Sequence, residues 1–176
     1  MLRFVLLLLI FQSAAFSSEI PTLKKYATDL TSTLTQSELN TLESRLQTLF
    51  DSTSTQVVFL MVSTLDGGSI EDYSYEVSKL NKIGTKGNDN GVLFTVVKND
   101  RLLRIEVGYG LEGVLTDATS SYIIRNEVIP SFKEGNYYEG IYRGINSIIS
   151  AAAGEYKDVK EKEDDYDGFP YGIILF

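Results

Sequence analysis

Four stretches of the chain carry hydrophobic residues at helical spacing and predict amphipathic helices. The first follows a capping-box sequence at Thr35 and covers about residues 36–51, and the second begins after Ser69. The third begins at Thr116-Asp117 and is predicted to end at Pro130, and the fourth covers about residues 136–153. The residues expected to face the core are, helix by helix, Leu39, Leu42, Leu46 and Leu49; Ile70, Tyr73, Val77 and Leu80; Ile123, Ile124 and Val128; and Tyr138, Ile141, Ile145 and Ile148.

Three compact runs rich in β-branched and aromatic residues predict strands buried on both faces: Gln56–Thr64, Gly91–Lys98 and Arg101–Val107. Only Asn99-Asp100 separates the last two runs, which predicts a two-residue hairpin turn with positive φ at these residues. Strands that alternate with helices predict an α/β fold, a three-layer α/β/α sandwich of Rossmann-like type. The hairpin makes its small central sheet mixed. Residues 18–34 are polar and predict no element.

The two ends of the chain differ from its middle. Arg3 precedes an apolar run over residues 4–11, and Ala15-Phe16-Ser17 has the form that signal peptidase cleaves, so residues 1–17 are predicted to be a signal peptide. An uncleaved membrane anchor is the alternative. The domain then covers residues 18–154, followed by an acidic linker over 155–168. The apolar residues 169–176 are expected to begin a C-terminal membrane segment, and a tail docked on the domain is the alternative.

Composition narrows the chemistry that the chain can perform. The 176 residues include neither cysteine nor histidine, which excludes disulfides, thiolate nucleophiles, Ser-His-Asp triads and Cys- or His-ligated zinc or haem. A net charge of −8 argues against nucleic acid as a partner, because affinity for a phosphate backbone depends on clustered Lys and Arg. Carboxylate, amide and carbonyl oxygens remain, and these favour Ca²⁺ or Mg²⁺.

Two polar loops are the candidate site, because the hairpin should bring them to the same end of two adjacent strands. They cover residues 87–91 and 108–117, and crevices at strand ends are where open α/β sheets bind ligands. The predicted divalent-cation ligands are Asp89, Asn90, Glu106, Glu112 and Asp117, with Gly91, Gly108 and Gly110 shaping the loops.

Each of these residues also has a simpler interpretation. Asp89-Asn90-Gly91 is a common turn sequence, Asp117 could cap a helix, and Glu106 could be an outward strand residue beside Arg104. Glu112 could be a solvated loop charge, and Gly108 and Gly110 could serve only to supply positive φ. The Gly-x-Gly of this loop does not follow the first predicted strand, so no dinucleotide site is expected.

Several linked sequence blocks resemble the TPM domain family. They are NDNGVL at residues 88–93, RIEVGYGLEG at 104–113, LTDA at 115–118 and FKEGNY at 132–137. The resemblance implies an α/β/α sandwich outside the cytoplasm, often with an N-terminal signal and a C-terminal membrane helix. It also implies divalent-cation binding, with Asp89, Asn90, Glu106 and Asp117 as the matching site positions.

The resemblance leaves more than one function open, because a chloroplast member is described as an acid phosphatase in photosystem repair and a nematode member as an auxiliary channel subunit. The first hypothesis is therefore an exported, membrane-anchored domain that binds Ca²⁺ or Mg²⁺ and acts as an accessory or assembly factor for envelope or membrane proteins. The second is a metal-assisted acid phosphatase, with Lys86 and Arg104 as the cations available for phosphate. The third is a purely structural domain without metal.

Overall fold

The apolar strands form the centre of a three-layer sandwich in the computed structural model, which describes residues 19–156. The sheet has the order β1-β2-β3-β4. Strands β1 (Ala27–Asp29), β2 (Gln56–Val62) and β3 (Gly91–Val97) are parallel, and β4 (Leu102–Val107) pairs antiparallel with β3. The predicted α/β fold with a small mixed sheet is confirmed.

Helices cover both faces of this sheet. Helix α2 (Ile70–Asn81) packs against one face, and α1 (Gln36–Thr53), α3 (Asp117–Ile123), α4 (Ile129–Lys133) and α5 (Tyr137–Ala152) pack against the other. Successive residues of β2 alternate between two hydrophobic clusters, as expected for a strand buried on both faces. Phe59 and Phe94 are direct cross-strand partners in the larger cluster, with ring centroids 5.8 Å apart.

The edge strand β1 is an element that the sequence pattern does not predict. Its three residues pair with Phe59–Met61, and Ala27 is buried while Thr28 and Asp29 are half-buried. A strand of this length is too short to show a periodic pattern, so only its pairing with β2 identifies it.

The predicted two-residue hairpin turn is wrong. The connection covers residues 98–101, and the positive φ of 57° lies at Arg101. The Lys98 and Asn99 amides donate to the carbonyls of Val62 and Ser63, at 2.9 and 2.8 Å. These bonds hold Lys98 and Asn99 against the chain that leaves β2, so β3 ends at Val97. Because β4 begins at Leu102, the connection has four residues instead of two.

The predicted helix end at Pro130 is also wrong, because a π-helical segment (Ile124–Val128) joins α3 to α4, and the helical run ends at Lys133. Pro130 lies in the first turn of α4, where the hydrogen-bond register changes, so its missing N–H removes no regular α-helical bond.

Leu80 is 54% exposed instead of facing the core. At the end of α2 the inward position is Asn81, whose side chain accepts from the Leu23 amide at 2.7 Å and donates to the Pro21 carbonyl at 2.9 Å. The N-terminal segment of the domain, at Pro21 and Leu23, is therefore hydrogen-bonded to the end of α2, where the pattern predicts a further hydrophobic core residue.

The predicted signal peptide and the apolar segment 169–176 lie outside the described residues, as does all but the start of the acidic linker. Among residues 19–156, no helix has the length and apolar character needed to cross a bilayer.

Candidate functional site

The two predicted loops do meet, and their backbones are bonded to each other. The Gly108 amide donates to the Gly91 carbonyl at 2.8 Å, and the Gly110 amide donates to the Asp89 carbonyl at 3.1 Å. The β3–β4 hairpin causes this, because Val92 and Val107 are cross-strand partners directly beside the loops. Residues 87–91 and 108–117 are called the loop pair below.

Close approach of backbone segments is the reason that glycines occupy three positions here: Gly108 and Gly110 lie against the other loop, and Gly91 lies against the chain before it. A Cβ atom at Gly108 would collide with the Asp89 carbonyl oxygen, and one at Gly110 with the Asn88 carbonyl oxygen. At Gly91 it would lie 2.5 Å from the carbonyl oxygen of Ile83. None of the three has a positive φ, so the interpretation that they serve to supply this conformation is wrong. In this loop pair Asp89 itself takes the left-handed conformation, with φ 48°.

The loop pair lies at the amino ends of the central parallel strands. Gly91 is the first residue of β3, and the Asn90 carbonyl accepts from the amide of Gln56, the first residue of β2. Ligand crevices of open α/β sheets lie outside the carboxyl ends of the strands. That rule therefore favours a ligand site at the opposite, carboxyl ends of the strands. Whether the loop pair can bind a ligand depends on its own side chains.

Asn90 is occupied as a structural brace. Its side-chain oxygen accepts from both the amide and the hydroxyl of Thr85, at 2.9 and 2.6 Å, and its side-chain amide donates to the Ser54 carbonyl at 2.8 Å. These bonds connect the first loop to the end of α1. A cation could use this oxygen only in competition with two existing donors.

Glu106 is likewise engaged, in an ion pair with Arg104 on the same strand. One carboxylate oxygen accepts from two guanidinium nitrogens, each at 2.7 Å, and both side chains are about one-fifth exposed, at 21% and 20%. Register pairs Glu106 with Leu93, a member of the cluster under α2, so the pair lies on the α2 face of the sheet. The simpler interpretation of Glu106 as a strand residue beside Arg104 is the one that the structure bears out.

Three carboxylates of the loop pair remain exposed: Asp89, Glu112 and Asp117. Asp117 is the first residue of α3, where a negative charge is favoured by the helix dipole, but the cap is Thr116, whose hydroxyl accepts from the Thr119 amide at 3.2 Å. Within residues 19–156, no three acidic side chains lie close enough together to hold a metal ion by themselves.

The carboxyl edge of the sheet carries a polar groove that the sequence pattern does not reveal. A cavity of about 340 Å³ opens between the start of α1 and the start of α5. The Lys98 ammonium donates to the Thr33 hydroxyl at 2.8 Å and lies 5.2 Å from the centroid of the Tyr137 ring. Burial raises the pKa of Tyr138, which also lines the groove. Asp29, at the end of β1, accepts from the amides of Thr31 and Leu34 and fixes the loop beside it.

The sequence gives little indication of a site at this end of the sheet, because the residues that meet there lie far apart along the chain. Thr33, Lys98 and Tyr137 meet only through the parallel pairing of β1, β2 and β3. Glu38 and Glu139 line the groove, and the Lys98 ammonium contacts two other lining residues, Thr33 and Tyr137.

An open mixed sheet between helical layers, with two glycine-rich loops bonded across a β-hairpin, defines the class of this domain. The family model of the TPM domain matches residues 27–151, which is more than half of the chain. The chain therefore belongs to the TPM domain family.

Solved structures show the same fold. The N-terminal domain of a protein from P. gingivalis, determined by solution NMR, is 29% identical, with 75% of this chain and 84% of that chain covered and a TM-score of 0.69. The BA42 protein from the psychrophilic bacterium Bizionia argentinensis is 24% identical over 84% of this chain and 98% of its own, with a TM-score of 0.61. The N-terminal domain of the cg2496 protein from Corynebacterium glutamicum is 14% identical over 85% and 96%, with a TM-score of 0.58. Among curated proteins, none matches the sequence of this chain.

Proposed function

We propose that this chain is an exported, membrane-tethered TPM domain that binds a divalent cation at the loop pair and acts as an accessory or assembly factor for envelope or membrane proteins. The observation that carries the proposal is a rigid pair of loops whose backbones are locked together while three carboxylates stay exposed. The signal-peptide pattern of residues 1–17 and the apolar residues 169–176 support export and tethering.

The donor set fits a hydrated hard cation rather than a closed metal centre. Asp89, Glu112 and Asp117 are the carboxylates of the loop pair that are available to it, since Asn90 and Glu106 already have partners. Because the three do not lie close enough together to hold an ion by themselves, each would bind it together with other oxygen ligands. Ca²⁺ takes six to eight oxygen ligands, so water and loop carbonyls would complete the shell. A dissociation constant of about 10⁻⁴–10⁻³ M, as in extracellular calcium modules, is therefore expected.

The phosphatase alternative has less support. Arg104 is one of the two cations available for a phosphate group, and its guanidinium is held by Glu106. A phosphate would have to compete with Glu106 for the two guanidinium nitrogens that the carboxylate occupies. Lys86, the other candidate, is an exposed loop residue whose ammonium forms no ion pair with the residues that the structure describes. With no histidine in the chain, protonation of a leaving group would fall to a carboxylic acid.

Calorimetric titration with Ca²⁺ and Mg²⁺ tests the cation. Residues 19–156 are a suitable fragment, because they contain both hydrophobic clusters and a relative's isolated N-terminal domain was solved in solution. Asp89→Asn and Asp117→Asn should each lose saturable binding. Asp66→Asn is the matched control, since Asp66 is also exposed and has a positive φ of 52° but lies after β2 at the other edge.

Three outcomes would contradict parts of this proposal. No heat at millimolar cation would leave the domain as one without metal, and equal loss in Asp66→Asn would place binding outside the loop pair. Turnover of p-nitrophenyl phosphate at acidic pH that Asp117→Asn abolishes would establish the phosphatase instead. For tethering, the full chain should sediment with membranes and a chain ending at residue 168 should not.

A further inference from the structure

Tyr109 is a side chain of the loop pair with no evident role in the fold. It is 80% exposed, and Val114 nearby is 44% exposed. Among residues 19–156, no ring or cation pairs with the Tyr109 ring. A single exposed hydrophobic residue is ordinary on a protein surface. What distinguishes Tyr109 is the backbone that carries it and the charges around it.

The backbone on both sides of Tyr109 is fixed. Its two neighbours, Gly108 and Gly110, donate to the carbonyls of Gly91 and Asp89 and admit no Cβ. Leu111, at the end of the same 3₁₀ turn, is buried in the larger cluster. An aromatic side chain has only two rotatable angles, so a fixed backbone presents it for binding at a small cost in conformational entropy.

The surroundings of Tyr109 are acidic. The Asp89 carbonyl accepts from the amide of Gly110, the residue after Tyr109, and Glu112 follows Tyr109 by three residues. The side chains of Asp89 and Glu112 are both exposed. The loop pair contains three acidic residues, Asp89, Glu112 and Asp117, and no Lys or Arg; Lys86 directly precedes its first loop. An exposed aromatic face on loops that carry exposed carboxylates complements a cationic group that also has a flat surface.

We propose that the loop pair binds an arginine side chain of a partner protein, with the guanidinium stacked on the Tyr109 ring and paired with the carboxylate of Asp89 or Glu112. Arginine fits better than lysine, because its planar guanidinium stacks on an aromatic face and pairs with a carboxylate in two-point geometry. This inference rests on the proposed accessory function and specifies the chemistry of the partner.

The test is a titration of ¹⁵N-labelled residues 19–156 in EDTA with a blocked glycine peptide that carries two arginines. Amide shifts should be confined to residues 86–91 and 108–117. The lysine counterpart and the Tyr109→Ala variant should each bind about fivefold more weakly, and the neutral citrulline counterpart should not bind. Tyr109→Phe keeps the stacking face and should bind like the wild type. The matched control is Tyr75→Ala, on α2, where the ring is 55% exposed and Lys79 already lies 5.6 Å from its centroid; it should change nothing.

Several results would overturn the inference: no shifts at millimolar peptide, equal affinity for lysine, shifts elsewhere, or unchanged binding by a Tyr109→Ala variant whose spectrum shows it folded. Shifts at Tyr109 that depend on protein concentration without peptide would mean that a second copy occupies the surface. Because EDTA removes free cations, failure here leaves the Ca²⁺ titration unaffected. Failure of that titration likewise leaves this result intact.

Discussion

Replacing Gly110 by alanine tests whether the loop pair is a rigid frame. The new methyl group would collide with the Asn88 carbonyl oxygen, and the Asp89 carbonyl carbon lies 3.3 Å away. Both are backbone atoms, so neither can swing aside as the tip of a side chain could. One of the two loops must move, and the 3.1 Å bond from the Gly110 amide to Asp89 weakens when it does.

The expected loss of stability follows from these contacts. Overpacking of a tight site costs about 1–3 kcal/mol, and a weakened hydrogen bond about 1 kcal/mol. Alanine recovers about 0.4–1 kcal/mol by restricting the unfolded chain. The net prediction is that Gly110→Ala lowers the free energy of unfolding by about 2 kcal/mol. Gly113→Ala is the matched control, because a Cβ atom there meets nothing within 4 Å and φ is not left-handed.

Urea denaturation followed by circular dichroism measures both variants, with an unchanged m-value as evidence that only stability has moved. Faster hydrogen exchange at the Gly108 and Gly110 amides should accompany the loss in Gly110→Ala. If the two variants unfold within about 0.5 kcal/mol of each other, the close approach of the backbones does not constrain the sequence. The description of the loop pair as a locked frame would then fail.

Three further substitutions test other contacts. Asn90→Ala removes three hydrogen bonds that link the first loop to Thr85 and Ser54, and should cost about 2 kcal/mol in urea denaturation; a loss below about 0.5 kcal/mol would contradict its role as a brace. Asp29→Ala removes the acceptor for two backbone amides and one hydroxyl beside β1 and should lower the free energy of unfolding by a similar amount, with unchanged stability as the contrary result. Glu106→Gln should leave Ca²⁺ affinity unchanged by calorimetry, because this carboxylate is bound to Arg104, and lost binding would return Glu106 to the ligand set.

The central elements of the fold can be predicted from the sequence because their signals are local. The capping box at Thr35 is present in full, with Glu38 accepting from the Thr35 amide at 2.7 Å. The apolar runs of β2 and β3 reflect burial on both faces, which only a layered fold provides. Length and composition of each segment are sufficient in these cases, and the four-helix pattern with three strands leads directly to an α/β sandwich.

The features that pattern reading misses depend on distant partners or on a hydrogen-bond register, neither of which hydrophobic spacing shows. Strand β1 exists because Phe59–Met61 offers it a free edge. Asn81 replaces Leu80 as the inward residue because the segment around Leu23 needs acceptors and donors there. The helix passes Pro130 because a π-helical segment shifts the register just before it. In the first two cases a contact with a distant part of the chain outweighs a local preference, and in the third a change of hydrogen-bond register does.

The candidate site divides in the same way. That the two loops meet follows from the hairpin, and the glycines mark where their backbones touch. Which polar side chains remain available for a ligand does not follow from the sequence. Asn90 and Glu106 have side chains that suit a cation, and their positions in the sequence do not reveal that other residues already bind them. Their bonds to Thr85 and Arg104 become visible only in three dimensions.

The loop pair thereby separates residues that build the frame from residues that are free to bind. A polar side chain whose atoms are paired within the fold must stay paired, since a lost partner costs stability. Exposed side chains such as Tyr109 and Glu112 carry no such cost. Asp89 belongs to both groups, because its carbonyl holds Gly110 while its carboxylate is exposed. Changes in the frame should therefore lower stability first and binding only as a consequence. Changes in the exposed side chains should alter binding in a domain that remains fully folded, which makes them the positions where the function of this domain is to be sought.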